Sequence, residues 1–108
     1  MNSNVSLDKE MLTVRVGGDL LSTNAGALRH EIDGWLKTSE GTPPQWNIFR
    51  LDLSAAKMVD SVGLNLIVTL FKYAQKRGAK MQVAYTDPNV LRTIIFTRLD
   101  KHLELVKV

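Results

Sequence analysis

The sequence predicts an α/β fold in which short, mainly parallel strands alternate with helices. Stretches with alternating apolar and polar residues, or with bulky apolar runs, take turns along the chain with stretches whose apolar residues recur at helical spacing. The resulting order is strand, helix, strand, helix, strand, helix, strand. Strict alternation of this kind implies parallel strands joined by right-handed helical crossovers. We therefore expect one domain over residues 1–108, with a mainly parallel sheet of four to five strands and helices mostly on one face.

The first strand and helix are predicted from local patterns before residue 39. Residues 12–16 alternate apolar and polar, and Gly17-Gly18 ends this strand. A helix over about residues 24–38 follows three good N-cap residues, Ser22, Thr23 and Asn24. The residues predicted for its buried face are Ala25, Leu28, Ile32, Trp35 and Leu36. Residues 39–45 contain Gly41, Pro43 and Pro44, and we expect a mobile loop there.

The remaining elements follow the same alternation. We expect strands at residues 48–53, 80–85 and 103–108, a helix from the Asp60 cap to Arg77-Gly78, and a helix starting at Asp87-Pro88. In the strand at 48–53, the residues predicted to share the buried face are Phe49, Leu51 and Leu53, opposite Arg50 and Asp52. The predicted buried residues of the two helices are Leu64, Ile67, Leu70, Phe71 and Ala74, then Val90, Leu91, Ile94 and Ile95.

Composition excludes several classes of protein. With 108 residues, 44% hydrophobic and 23% charged, the chain can form one folded core and is not disordered. The absence of cysteine rules out disulfides and thiolate metal sites. No signal peptide or membrane-spanning run is recognisable, so we expect a soluble, cytoplasmic protein without direct membrane insertion. No ligand-spaced His/Asp/Glu set or phosphate-binding glycine loop occurs, and we expect neither metal nor cofactor.

Charge is unevenly distributed along the chain. Residues 1–54 carry a balance of −2 (five basic, seven acidic), and residues 55–108 carry +5 (nine basic, four acidic). The excess gathers at four residues, Lys72, Lys76, Arg77 and Lys80. Such a cluster fits an acidic partner or nucleic acid, or simply a solvated helix face. We favour the solvated face and expect no nucleic-acid partner.

The connection before the second helix, residues 58–65, carries the functional argument. Asp60 is a natural N-cap, and Gly63 lacks a Cβ, which allows a neighbour or a partner to approach the first helical turn. Open N–H donors and partial positive charge at a helix start favour a phosphate group. Helix capping alone also explains why Asp60 and Ser61 occur here. The spacing of these residues therefore leaves open whether they only cap the helix or form a functional site.

At this point the chain resembles the STAS family. A hydrophobic strand ending in Asp52-Leu53-Ser54, followed by Val59-Asp60-Ser61-Val62-Gly63-Leu64, is similar to that family's central motif. Gly18-Asp19-Leu20, Asn24-Ala25 and the tail from Pro88 to Leu105, with Phe96-Thr97-Arg98-Leu99-Asp100, resemble other parts of the family in the same order. The likeness covers nearly the whole chain.

The resemblance implies a role in partner switching. Family members of the anti-sigma-factor antagonist class bind a GHKL-type kinase that is also an anti-sigma factor. Phosphorylation of a motif hydroxyl releases the complex, and a PP2C-type phosphatase restores it. The usual acceptor directly precedes the motif glycine, where this chain has Val62, so Ser61 is the candidate phosphorylation site. Leu21 also departs from the pattern, because the family often has Asp there. The alternative is a docking subunit of a bacterial lipid-transport complex that binds its ABC ATPase without phosphorylation.

The resemblance also nominates a partner-binding surface at the start of the second helix. Its candidate residues are Met58, Asp60, Ser61, Val62, Gly63 and Asn65, together with Leu20, Leu21 and Ser22. We expect no catalysis. A serine hydrolase needs a base and oxyanion donors beside the nucleophile, and nothing places His30 or His102 near Ser61. The Gly-x-Ser-x-Gly elbow is also absent.

Overall fold

The computed structural model describes residues 3–8, 10–38 and 46–108. Within this part the strands are β1 (Ser3–Asp8), β2 (Met11–Val16), β3 (Ile48–Leu53), β4 (Lys80–Tyr85) and β5 (Glu104–Lys107). The helices are α1 (Ala25–Thr38), α2 (Ser61–Lys76) and α3 (Pro88–Phe96), with a short 3₁₀ turn at Leu99–Lys101. The alternating α/β order predicted from the sequence is confirmed.

The strands form one sheet in the order in which they occur in the chain, β1-β2-β3-β4-β5. β1 is antiparallel to β2, and the other neighbours are parallel, with Ile48 opposite Met11 and Lys80. Each parallel crossover moves to the next strand in the same direction. Because such crossovers are right-handed, α1, α2 and α3 all belong on one face of the sheet.

The two faces of the sheet differ in polarity. On the helix face, Phe49, Leu51 and Leu53 are completely buried, and full burial of each such side chain is worth about 1.5–3 kcal/mol. On the opposite face Arg15 Nε donates to Asp52 Oδ2 over 3.2 Å, and Arg50 Nε donates to Gln82 Oε1 over 3.1 Å. Polar cross-strand pairs therefore line the face without helices.

Several details differ from the predictions. β1 was not predicted, because Val5 and Leu7 are its only large apolar residues and its pairing with β2 is not visible in a local pattern. Ile95 was expected to be buried but is 46% exposed, and Leu91 is half-buried; only Val90 and Ile94 of that set are fully buried. The loop predicted at 39–45 and the side chains of Trp35 and Leu36 lie outside the described residues.

The basic cluster separates into two kinds of residue. Lys72, Lys76 and Lys80 are exposed, as expected for a solvated surface. The Arg77 guanidinium instead lies 5.6 Å from the ring centre of Trp46 and 5.2 Å from that of Tyr73. A cation over aromatic faces stabilises the packing between the end of α2 and the start of β3. Arg77 therefore has a structural role.

Two further observations concern only the described ranges. In 3–8, 10–38 and 46–108, no helix combines the length and apolar character needed to cross a bilayer. Over the same residues, no group of three or more His, Asp or Glu side chains is arranged to hold a metal ion.

Arg98 adopts a left-handed backbone conformation, with φ of 62°, between α3 and the 3₁₀ turn. This conformation costs an L-residue about 1–2 kcal/mol, and glycine avoids that cost but loses more conformational entropy on folding. We expect Arg98→Gly to raise the free energy of unfolding by about 0.5–1 kcal/mol in urea denaturation. Arg98→Ala is the matched control, since it removes the side chain but keeps the strain. Equal stability of the two variants would contradict the prediction.

Candidate functional site

Two connections meet where the parallel strands β2 and β3 end. One is the 19–24 turn, between β2 and α1, and the other is the 57–63 segment, which leads into α2. Leu20 and Val59 form an isolated parallel bridge. The Leu20 N–H donates to the Met58 carbonyl over 3.1 Å, and the Asp60 N–H donates to the Leu20 carbonyl over 3.2 Å. The pairing of β2 with β3 is therefore resumed beyond the strand ends, where ligand and partner sites of parallel sheets commonly lie.

Asp60 connects these two backbone segments through its carboxylate. Oδ1 accepts a hydrogen bond of 2.9 Å from the Gly63 N–H, which confirms Asp60 as the N-cap of α2. Oδ2 accepts a hydrogen bond of 2.7 Å from the Ser22 N–H. The N–H donors of Gly63 and Ser22 lower the pKa of Asp60 below its ordinary value of 3.8. The carboxylate is consequently ionised at neutral pH.

Asp19 has a similar role that the sequence did not predict. Its Oδ1 accepts hydrogen bonds from the N–H groups of Lys57 and Met58, over 2.7 and 3.1 Å. Asn24 completes the 19–24 turn, accepting from the Leu21 N–H at 2.9 Å and donating to the Asp19 carbonyl at 2.7 Å. The sequence signals for Asp19 are an acidic residue after Gly17-Gly18 and the resemblance of Gly18-Asp19-Leu20 to the STAS family, and neither identifies donors distant in the chain.

Gly63 is buried beneath the 19–24 turn. A Cβ at this position would lie 2.4 Å from the Leu20 carbonyl oxygen and 3.0 Å from side-chain carbons of Leu20 and Val59. The close approach predicted for Gly63 is therefore made by the protein's own backbone. Leu20 is also fully buried. In this structure neither residue is placed to present a side chain to a partner, and both hold the two segments together.

The other candidate residues form an accessible surface, here called the Ser61 patch, which consists of Met58, Ser61, Val62, Asn65 and Ser22. Met58 is 58% exposed and Val62 is 42% exposed, so apolar surface flanks the serine on both sides in the chain. Ser61 is itself exposed as the first residue of α2. Asp60 and Leu21 lie half-exposed beside the patch.

His102 lies in another part of the fold. Its ring is 5.8 Å from that of Phe71, and both line a cavity beside the first residues of β4 and β5. Ser61 lies beyond the opposite, carboxyl ends of the strands. His30 is exposed on α1, where no contact joins it to Ser61 among the described residues. The arrangement is that of an accessible hydroxyl on a hydrogen-bonded backbone, with His30 and His102 both away from it.

Gly63→Ala tests whether Gly63 is required for folding. We expect the added methyl group to lower the free energy of unfolding by about 1–3 kcal/mol, because it meets a backbone oxygen that cannot rotate away. Urea denaturation measures the change. Gly34→Ala, in the interior of α1 where a Cβ meets nothing within 4 Å, should instead stabilise by about 0.5–1 kcal/mol. A neutral effect of Gly63→Ala would show that the two segments can separate at little cost.

Asp60→Asn tests the contribution of the carboxylate charge. Because the folded-state pKa is lowered, the charge stabilises the fold above the ordinary pKa of 3.8, and this contribution disappears as pH falls through the lower folded-state value. We expect wild type to exceed Asp60→Asn in stability most at neutral pH, with the difference shrinking below pH 3.8. Urea titrations at several pH values measure it. The pKa of Asp52 is also lowered, but its titration contributes equally to the stability of both proteins and cancels in the difference. A stability difference that does not change with pH would exclude a role for the Asp60 charge.

Comparisons with known proteins agree with this architecture. The chain is 26% identical to an anti-sigma factor antagonist from Mycobacterium paratuberculosis, with a TM-score of 0.80 over 97% of this chain and 84% of the other. It matches TM1081 of Thermotoga maritima at 20% identity and a TM-score of 0.78 (98% and 86%). It matches the phosphorylated form of the Bacillus cell fate determinant SpoIIAA at 12% identity and 0.71 (99% and 91%). The model of the STAS domain matches residues 2–107, and the chain therefore belongs to the STAS domain family.

Proposed function

We propose that this protein is a non-catalytic interaction module that acts as an anti-sigma factor antagonist in a partner-switching pathway. Its partner is an anti-sigma factor that is also a serine kinase of the GHKL type. Phosphorylation at Ser61 releases the complex, and a phosphatase of the PP2C type reverses the modification. The similarity to an anti-sigma factor antagonist at 26% identity over most of both chains supports the class of partner.

The observation that carries the proposal is the setting of Ser61. Its hydroxyl is exposed on a backbone that Asp60 holds through Gly63 and Ser22. Met58 and Val62 expose apolar surface next to it. Binding of a partner over this patch is stabilised by about 25 cal/mol for each Å² of apolar surface that becomes buried. The partner also excludes water from Ser61. Any charge placed on Ser61 would then have to be desolvated.

Phosphorylation supplies such a charge. The kinase transfers the γ-phosphoryl group of ATP to Ser61 Oγ, ADP leaves, and a base of the kinase accepts the hydroxyl proton. The phosphate adds about −1.5 to −2 charge beside the ionised Asp60, whose pKa is lowered by hydrogen bonds. The helix donor at Gly63 is already occupied by Asp60. Like-charge repulsion and desolvation therefore both oppose binding of the modified protein.

Ser61→Asp measures the effect of charge at this position. We expect the variant to weaken binding of the cognate anti-sigma factor at least tenfold, which corresponds to about 1.4 kcal/mol. Titration calorimetry gives the affinity, and urea denaturation verifies that the fold is intact. Gln75→Glu is the matched control, because it adds the same charge to an exposed position near the other end of α2. Unchanged affinity of Ser61→Asp would place the interface elsewhere.

Kinase assays and affinity purification separate the proposal from its alternative. Each anti-sigma factor kinase of the source organism is incubated with the protein and ATP, and phosphate is mapped by mass spectrometry. We expect modification at Ser61 and none in Ser61→Ala, which should still bind. Absence of phosphate at Ser61 would exclude the switch. Recovery of an ABC ATPase, without any kinase-like anti-sigma factor, would favour the transport-complex docking role.

A further inference from the structure

A groove runs between α1 and α2 and begins at the Ser61 patch. Its walls come from the first two turns of α1 and the first three turns of α2. The lining residues are Ala25, Gly26, Arg29, Val62, Asn65, Leu66 and Thr69. Val62 and Asn65 belong to both the groove and the Ser61 patch. The two surfaces are therefore continuous, and a partner that covers Ser61 also reaches the mouth of the groove.

Gly26 widens the groove without serving the packing of the domain. A Cβ built on Gly26 meets nothing within 4 Å, and its φ is not left-handed. Alanine would therefore fit sterically, and alanine favours helix over glycine. Gly26 differs in this respect from Gly63, where the Leu20 carbonyl excludes a methyl group. The open space at Gly26 leaves the backbone of α1 accessible in the groove that Val62 also lines.

Among the described residues that line the groove, Arg29 is the only charged one. Arg29 forms an ion pair with Asp33, at 3.8 Å between Nε and Oδ2, and both side chains are more than half exposed. Ion pairs with this exposure contribute little to stability, so the guanidinium is available to a carboxylate on a partner. The groove thus combines apolar lining residues such as Val62 and Leu66 with the Arg29 cation.

We propose that the α1–α2 groove binds a segment of the same anti-sigma factor, which places an apolar side chain between Gly26 and Val62 and a carboxylate beside Arg29. The inference rests on the proposed function and extends it. It assigns partner selection to the groove, whereas Ser61 controls whether binding occurs. Burial of an apolar side chain against Val62 supplies affinity, and the Arg29 charge selects partners with an acidic residue at the matching position.

The pair Gly26→Ala and Gly34→Ala tests the groove. Both glycines are exposed on α1, and a Cβ at either meets open space, so both variants should fold with unreduced stability. Only Gly26 lines the groove. We expect Gly26→Ala to weaken binding of the purified anti-sigma factor kinase about tenfold in calorimetric titration, because an added methyl group overpacks a fitted contact. Gly34→Ala should bind as wild type does.

The pair Arg29→Ala and Lys72→Ala tests the charge. Each variant removes one exposed cation, and Lys72 lies on α2 outside the groove. We expect Arg29→Ala to weaken binding and to reduce the salt dependence of the affinity, whereas Lys72→Ala changes neither. Equal effects of the two substitutions would show a general charge effect and would overturn the assignment of Arg29.

The outcomes separate this inference from the proposed function. Wild-type affinity of Gly26→Ala, with binding still weakened by Ser61→Asp, would overturn the groove and leave the antagonist role intact. Equal weakening by Gly26→Ala and Gly34→Ala would also overturn it, since the effect would then belong to α1 as a whole. If no anti-sigma factor of the organism binds the wild-type protein, the proposed function and this inference both fail.

Discussion

The geometry of the candidate site depends on the Asp60 carboxylate. One oxygen holds the start of α2 through the Gly63 N–H, and the other holds the 19–24 turn through the Ser22 N–H. These bonds place Ser61 at a defined position although the residue itself is exposed. The missing Cβ of Gly63 is the steric counterpart, because it lets the Leu20 carbonyl lie against the first turn of the helix. Because hydrogen bonds already order this backbone, less conformational entropy is lost when a partner binds.

Features set by local interactions could be predicted from the sequence. The bounds of β3 and β4 agree with the predictions, because alternating or apolar runs mark them directly. The helices α2 and α3 start after Asp60 and Asp87, whose side chains cap helices within three residues of themselves. β1 was missed because its identity as a strand depends on pairing with β2. Ile95 was misassigned because helical spacing does not show how wide the buried stripe is.

The candidate site shows the same division between local and long-range effects. Asp60 and Ser61 stand out because their types suit a helix start, and the resemblance to the STAS family singles out the same residues. The roles of Asp19 and Gly63 depend on neighbours far away in the chain, since Asp19 binds N–H groups 38 and 39 residues distant. The burial of Leu20 follows from the same tertiary contact. No pattern within a single element reveals which backbone will lie against Gly63.

The order of strands in the sheet has a consequence for how the molecule is assembled. From β2 onward each strand pairs with the strand that precedes it in the chain. Each parallel pairing therefore brings together two strands that are joined by one helical connection. The residues that pair are separated by that entire helical connection, as are Met11 and Ile48 or Ile48 and Lys80, and such parallel pairing forms more slowly than local contacts do. The contacts that define the Ser61 patch all lie within residues 19–66, before the chain has built α3 and β5. None of these hydrogen bonds involves α3 or β5, so we expect substitutions in those two elements to leave them in place while changing stability.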